Sequence, residues 1–506
     1  MLPYIAVPSY KRPLVFKSNT YNLLKGIPLK KFLFLESEEQ KKEYEEAMDL
    51  SEYDVIVTYS NGIAEKRNCM RSFFYMKKED LKVLYIDDDI RSFSKKSDNK
   101  TVTIGLADFI YDGFAACEKF NLKIWGINTL NNGLFLKHTI TTHLKYIQGG
   151  LLGEVFKSAF TSFPYTGIDH YEDFDFTLQY YLRDGGVVRL NDICMETKPW
   201  RNGGINDSLG GLEKRRETMK PNSEYLAKKF GPKLITIKEK KWGLEPVLNF
   251  RHKHQFKICI PSLGRAQLLN DTTLELIRHL NVEIYIFLTN HIDFLNYKDI
   301  IGKGFHYILD TKCVGIGNIR TKIRNYFPTG TKIIMLDDDL TDIKQKTNPE
   351  CNLYNLFNKM FATMEKEETK FAGCNPCGNT FFMKEGYSTN LRYTGGHLIA
   401  EIIREKEDRI AVTESHMEDY IANIEYFKKD KKLIRFNDVY VETKYYNPVG
   451  GICQQYGGLE ERIKDAEKLA KELEVRYAGF AKAHYKKGSS RVPPCWNLRL
   501  NNFKKI

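Results

Sequence analysis

The first half of the chain returns as its second half. IAVPSYKRP (Ile5–Pro13) reappears as ICIPSLGRA (Ile258–Ala266), and NGIAEKRNCMR (Asn61–Arg71) as VGIGNIRTKIR (Val314–Arg324). VLYIDDD (Val83–Asp89) reappears as IIMLDDD (Ile333–Asp339), HYED (His170–Asp173) as HMED (His416–Asp419), and VRLNDICMETK (Val188–Lys198) as IRFNDVYVETK (Ile434–Lys444). A double glycine follows each time (Gly203-Gly204; Gly450-Gly451), then GGLE ending at Glu213 and Glu460, and EPVLNFR near Asn249 matches PPCWNLR near Asn497. The spacing of equivalents drifts only from 253 (Pro8, Pro261) through 250 (Asp87, Asp337) to 246 (His170, His416). A unit of about 250 residues is domain-sized rather than a solenoid repeat. Two domains are therefore expected, 1–253 and 254–506, as also suits 506 residues, too many for one hydrophobic core.

Within each half, β-branched apolar runs alternate with helical patterns. YIAVPS and FKICIPS read as first strands, KKFLFLES and VEIYIFLTN as second strands, and the runs before the acidic triplets as buried strands. DTTLELIRHL (Asp271–Leu280), with an aspartate start and apolar residues at helical spacing, predicts one helix. Alternation of this kind predicts an α/β domain with a largely parallel sheet, in which ligands gather beyond the carboxyl ends of the strands.

The composition, 42% hydrophobic and 28% charged, is that of a globular protein. The net charge of +12 favours polyanions, although a solvated surface would account for it equally well. Ten cysteines form no framework, and Cys374-Asn-Pro-Cys377 lacks a second pair at zinc-site spacing, so reduced thiols are expected. No run of about 18 apolar residues occurs, and MLPYIAVPSYKRP lacks the order of a signal peptide. A soluble cytoplasmic protein without membrane contact is expected.

Three adjacent carboxylates repel one another, increasingly so as they are desolvated. A hard divalent cation removes that cost and leaves positions for phosphate; a helix N-terminus is the other explanation, and the second copy favours the cation. Arg67 and Arg71, like Arg320 and Arg324, lie four apart and so share a helix face, fit for a nucleotide or for ion pairs to the nearby aspartates. Gly62, Gly315 and Gly317 would allow close backbone approach to a phosphate or base. No Walker or dinucleotide fingerprint is present. In His-x-Glu-Asp a carboxylate can act as general base, and ETK…GG offers a clamp or a plain strand-to-turn signal.

A first strand ending in Pro-Ser with a nearby arginine, a Gly-x-x-x-x-Arg helix start, a strand ending in an acidic triplet and a later Glu-Asp resemble the GT-A glycosyltransferases. The triplet looks like their DxD motif and the Glu-Asp like the xED motif of inverting members. VPSYKRP…AEKRN…YIDDD with the C-terminal PCWN looks most like the TET/JBP-associated glycosyltransferases of tailed phages and the base J pathway. NIRTKIRN in place of the first half's EKRN is a departure that bears on how the second site binds its nucleotide.

The resemblance implies tandem GT-A-like (Rossmann-like) domains and transfer of a sugar from a nucleotide sugar, a UDP-sugar first, to a hydroxymethylpyrimidine in DNA, in the host cytoplasm if the gene is a phage's. It implies that Asp87, Asp89, Asp337 and Asp339 ligate Mn²⁺ or Mg²⁺, and that Asp173 and Asp419, beside Glu172 and Glu418, are the bases. Pro8, Ser9, Arg12, Arg67, Arg71, Asp88 and Lys198, with Pro261, Ser262, Arg265, Arg320, Arg324, Asp338 and Lys444, would bind the donor. His170, Gly149 and Gly150, with His416, Gly395 and Gly396, would face the acceptor. Other readings are a glycosyltransferase acting on a surface polysaccharide, a metal-dependent nuclease or nucleotidyltransferase, and a binding protein with decayed sites.

Overall fold

The computed structural model describes residues 1–98, 100–158, 164–197, 211–240, 243–348, 352–379, 381, 383–443, 459–487 and 495–501. The chain divides into two compact units, Met1–His252 with His279–Asn281, and Lys253–Arg278 with Val282–Ile506.

In the first unit β1 (Tyr4–Pro8), β2 (Lys31–Leu35), β3 (Tyr53–Val57) and β4 (Leu81–Ile86) form the parallel half of a sheet in the order β3-β2-β1-β4. The apolar runs of β1, β2 and β4 are buried on both faces, as parallel strands covered by helices require, while the edge strand β3 is only partly covered. The order reverses between β1 and β4, so the carboxyl ends of those two strands open one crevice. Beyond β4 the sheet is mixed. After β5 (Ser92–Ser97), β6 (Lys100–Ile104), β7 (Ile124–Asn128) and β8 (Ile140–Thr141), β9 (Leu151–Phe156) returns antiparallel between β4 and β7, and β10 (Val188–Glu196) runs parallel to β7. Because β9 runs backwards, its leading Gly149-Gly150 lies at the crevice end of β4, where the Asp87 N–H donates to the Gly150 carbonyl at 3.0 Å. A hairpin, β11 (Ile235–Lys240) with β12 (Gly243–Leu248), follows the helix Leu212–Phe230.

The second unit repeats the arrangement. β13 (Lys257–Pro261), β14 (Glu283–Leu288), β15 (His306–Leu309) and β16 (Lys332–Leu336) take the order β15-β14-β13-β16. Past β17 (Leu340–Gln345), β18 (Phe371–Cys374) and β19 (Tyr387–Ser388), β20 (Leu398–Ile402) pairs antiparallel with β16. The counterpart of β10 is split at Asn437-Asp438 into β21 (Ile434–Phe436) and β22 (Val439–Thr443), and β22 pairs with β17. β23 (Ala481–Lys486) and β24 (Cys495–Leu500) close the unit as a hairpin. A parallel Rossmann-like half extended by an antiparallel strand makes each unit GT-A-like.

The helix expected over Asp271–Leu280 forms as the shorter Thr273–Ile277, separated at Thr272 from a helix before it. Ala266–Asp271 ends at Thr272, with φ −123° and ψ −95°, and Thr273–Ile277 begins anew. Hydroxyls cause the break: Thr272 Oγ1 donates to the Asp338 carbonyl at 3.1 Å, and Thr273 Oγ1 to that of Asp337 at 2.8 Å while accepting from the Leu340 N–H at 2.9 Å. Among the described residues the cysteines are free thiols, and no helix is long and apolar enough to cross a membrane.

Candidate active sites at the two acidic turns

In each crevice the middle aspartate is buried and spoken for. Ser9, following β1, donates to Asp88, as do Arg12 Nη2 and, at 3.3 Å, Arg12 Nε. Tyr44 holds this loop: its hydroxyl accepts from the Arg12 N–H at 3.0 Å and bonds Ser9 Oγ at 2.6 Å. The second unit matches it with Ser262 to Asp338 at 2.5 Å, Arg265 to Asp338 at 3.3 Å, and Tyr297 bonded to Ser262 at 2.6 Å and to the Arg265 N–H at 2.9 Å. Burial raises Asp88 and Asp338 against the pull of these arginines. Burial, then the two neighbouring aspartates, pushes Asp89 up to about 7 and Asp339 to about 6. Arg12 and Arg265 lie 3.6 and 3.7 Å from Asp89 and Asp339. Pro8 and Pro261 are the last residues of β1 and β13.

One arginine joins the acidic turn to the Glu-Asp motif. Arg67 Nη2 lies 2.9 Å from Asp87 and its Nε 3.2 Å from Glu172; Arg320 lies 2.9 Å from Asp337 and 2.8 Å from Glu418. Glycine lets the guanidinium in: a Cβ on Gly149 would stand 3.0 Å from Arg67 Nη2, and one on Gly396 2.5 Å from Arg320 Nη1. This fixes a register that the sequence pairing of Gly149-Gly150 with Gly395-Gly396 misplaces by one residue. Gly149 is the counterpart of Gly396, and Gly150 that of His397, whose carbonyl accepts from the Asp337 N–H at 3.2 Å. The His397 ring shares a 2.9 Å hydrogen bond with Asp337 Oδ2. Burial works to raise Asp337, yet His397 and Arg320 hold it below the ordinary carboxylate value.

The Glu-Asp pairs open the helices Glu172–Asp184 and Glu418–Asp430. The preceding Tyr171 and Met417 are left-handed (φ 73° and 54°), a strained choice for side-chain-bearing residues, made in both units. Glu172 is buried against Arg67, and burial, then Asp173, raises it. Asp173 stays partly exposed and accepts from Tyr146, from the Gly149 N–H at 3.2 Å and from the Phe174 N–H at 3.0 Å. Burial raises it despite those donors. Asp419 accepts from Tyr393 at 2.5 Å and from the Tyr420 N–H at 2.9 Å.

Other expected residues lie elsewhere. Arg71 pairs with Glu154 at 3.0 Å, both buried, with Tyr180 also on Glu154; Arg324 pairs with Glu401 at 2.8 Å, with Tyr426. One helical turn beyond Arg67 and Arg320 these side chains reach the sheet interior, so they are core ion pairs rather than donor contacts. The Gly62 position faces Asp169, which accepts from the Ala64 N–H at 2.8 Å, while Gly315 faces Ser415 and Gly317 the Glu414 carbonyl: these glycines make room for the protein's own helix starts, not for a ligand. His170 stacks on Tyr171 and bonds Thr218 at 3.3 Å, away from Asp87; burial, then Arg215, lowers it to about 4. His416 is buried. Lys198, Lys444 and the double glycines after them lie outside the described residues. Asn249 Nδ2 bonds the Lys233 carbonyl as Asn501 Nδ2 bonds that of Gly479, so Asn501, not Asn497, is the counterpart of Asn249.

Sequence reasoning missed Thr20, Tyr44 and Tyr146. Thr20 donates to the Asp87 carbonyl at 2.6 Å and accepts from the Ile90 N–H at 3.0 Å. Each has its counterpart in the repeat (Thr273, Tyr297, Tyr393), which was the available signal.

Both acidic turns offer hard oxygen donors that suit Mg²⁺ or Mn²⁺, and two carboxylates plus phosphate is an ordinary set for such ions. Among the described residues no group of three His, Cys, Asp or Glu could hold a metal by itself. The protein's contribution therefore fits a cation shared with a phosphate ligand.

No known family model matches the sequence, and no curated protein matches it either. Similar solved structures include residues 1–349 of S. aureus TarS in complex with UDP-GlcNAc (15% identity, 45% of this chain and 67% of that one, TM-score 0.30). Another is the glycosyltransferase GlyE of Streptococcus pneumoniae TIGR4 (11%, 37% and 46%, TM-score 0.22). A third, provisionally described as a nucleotide-diphospho-sugar transferase, is from Desulfovibrio desulfuricans G20 (10%, 36% and 79%, TM-score 0.24). Likeness at this level does not assign an activity.

Proposed function

We propose that the chain is a tandem, metal-dependent glycosyltransferase of the TET/JBP-associated type, moving a sugar from a nucleotide sugar, a UDP-sugar first, to the hydroxyl of a hydroxymethylpyrimidine in DNA with inversion. The observation that carries the proposal is the arginine bridge. In both units Arg67 or Arg320 fixes a carboxylate of the acidic turn and the glutamate beside a partly exposed aspartate in one rigid frame. Donor and acceptor groups are thereby held at a set separation, as in-line displacement needs.

In this reading Asp87 and Asp89, and Asp337 and Asp339, hold Mn²⁺ or Mg²⁺. When bound, the cation supplies charge against the departing diphosphate. Ser9 and Arg12 hold the middle aspartate so that its neighbours project into the crevice. Asp173 takes the proton from the acceptor hydroxyl while that hydroxyl's oxygen bonds to the anomeric carbon and the bond from that carbon to the nucleoside diphosphate breaks. Burial raises this base toward the working pH, and Tyr146 with the Gly149 N–H fixes its orientation. The C5 substituent of a pyrimidine projects into the major groove, and a flipped or single-stranded nucleotide brings it to the base.

The test is incubation of the full chain with hydroxymethylated and unmodified DNA, a panel of nucleotide sugars and Mn²⁺, followed by nucleoside mass spectrometry. A hexose or pentose adduct confined to hydroxymethylated DNA, reduced in Asp87→Ala or Asp337→Ala, is expected. No adduct with any donor, or an adduct unaffected by both substitutions together, overturns the proposal.

A further inference from the structure

In the second unit a cavity of about 360 Å³ opens between β21 and β24, lined by Arg392, Arg435 and Arg499 over Tyr393, Tyr420 and two leucines of β24. Among the described residues no carboxylate lines it. Clustered cations without an anion are as costly as clustered aspartates, and the groups register that cost. Burial, then Arg392, lowers Arg435 to about 10, and Arg392 Nε is buried with no hydrogen-bond partner among the described residues. Arg435 is braced by protein acceptors, donating through Nε to Asn437 at 3.1 Å and through Nη1 to the Tyr393 carbonyl at 3.3 Å. Tyr393 is also the side chain that holds Asp419, so the cavity wall and the base share one residue.

The feature recurs. In the first unit Lys145 precedes Tyr146 as Arg392 precedes Tyr393, and Arg189 Nε donates to Asn191 at 2.8 Å as Arg435 does to Asn437. The third cation is the difference. With Asn249 opposite Asn501, the place of Arg499 is taken by Val247. Arg499 faces Lys482 across the hairpin, and strand alternation sets Lys482, His484, Lys486 and Arg499 on one face. Like charges directly opposite one another destabilise a hairpin. The same alternation turns Leu498 and Leu500 to the opposite face, so Arg499 stands exposed at the cavity's rim. A row of cations beginning at the rim of an arginine-lined cavity matches a polymer of phosphates better than a single phosphate, because guanidinium forks take phosphate oxygens two at a time.

We propose that this cavity is a phosphodiester subsite for the backbone of a nucleic-acid acceptor, with Arg392, Arg435 and Arg499 as its ligands and the β23–β24 hairpin as its extension. It rests on the reading of Asp419 as the acceptor base. Phosphate contacts give affinity with little sequence preference and a steep salt dependence.

The experiment is fluorescence anisotropy of the full chain with a short fluorescein-labelled single-stranded oligonucleotide across a salt series. Poly(glycerol phosphate) and inorganic phosphate serve as competitors. Arg392→Gln/Arg435→Gln and Arg499→Gln should each weaken binding about tenfold or more and reduce the slope of log K against log salt by roughly one per cation removed. Arg435→Lys, with melting followed by circular dichroism, separates loss of charge from loss of fold and should keep part of the slope. Unchanged affinity and slope in all variants overturn the subsite. Stronger competition by poly(glycerol phosphate) than by oligonucleotide of equal charge overturns the nucleic-acid assignment. Binding needs no turnover: a chain that binds through these arginines and transfers no sugar refutes the proposed function and keeps the subsite. One that transfers sugar with an unaltered acceptor KM in Arg392→Gln/Arg435→Gln does the reverse.

Discussion

His397 Nδ1 lies 2.9 Å from Asp337 Oδ2, where the first unit has Gly150 and presents only a backbone to the same oxygen of Asp87. With Arg320 on Oδ1, both oxygens of Asp337 have partners, whereas among the described residues the side chain of Asp87 is bonded by Arg67 through Oδ1 alone. The two acidic turns are therefore unequal hosts for a cation. Titration of the full chain with Mn²⁺ in the presence of UDP, which supplies the phosphate oxygens, followed by the loss of the free-ion paramagnetic resonance signal, should give one tight site. Asp87→Asn should remove it, and His397→Gly should add a second. Two equal sites in the unaltered chain would refute the inequality.

Asp173 must be ionised to accept a proton, so activity falls as pH drops through its pKa. Burial raises that value and the Tyr146 hydroxyl pulls it back down. In an Asp419→Asn background, Tyr146→Phe should move the acidic limb of the pH–rate profile to higher pH. Asp173→Asn in the same background should cost about a hundredfold or more in kcat, with UDP binding retained in calorimetry.

Arg71 offers a stability test. Its partner Glu154, and Tyr180, which donates to Glu154, are buried with it. Removing one member of a buried pair leaves an uncompensated charge at a cost of about 3–5 kcal/mol. Arg71→Met should lower the denaturant midpoint of the first unit without altering UDP affinity in conditions where it stays folded. A donor defect at unchanged stability would return Arg71 to the donor site.

His170 ties stability to pH. Its folded value is lowered from 6.5 to about 4, so the unfolded chain takes up a proton first as pH falls. Stability is complete above 6.5 and declines through that window toward 4, by roughly 2–3 kcal/mol at the low end. His170→Gln should flatten this part of a pH series of urea unfolding curves; an unchanged slope would assign the loss to other groups.

The strands were legible because β1, β4, β13 and β16 are continuous apolar runs ending in Pro-Ser or in aspartates, and the repeat printed each twice. The roles of Arg67 and Arg71 were not legible. Both satisfy helical spacing, and only the depth of the sheet beneath the helix decides which reaches the crevice and which the core. The Gly150–His397 exchange was hidden for a related reason. Two glycines occur in both halves one residue out of register, and only the approach of Arg67 and Arg320 shows which glycine is required. The broken helix at Thr272 escaped because periodicity counts apolar residues and ignores a hydroxyl that competes for a carbonyl.

Among the described residues every side chain bonded around an acidic turn comes from that turn's own unit: Ser9, Arg12, Arg67 and Glu172 in one, Ser262, Arg265, Arg320 and Glu418 in the other. A lesion in one set leaves the other wired as before. If both units carry the proposed activity, turnover is a sum of two separate terms, and a chain of this design carries redundancy: one copy can drift in metal use or acceptor grip while the other keeps the reaction going.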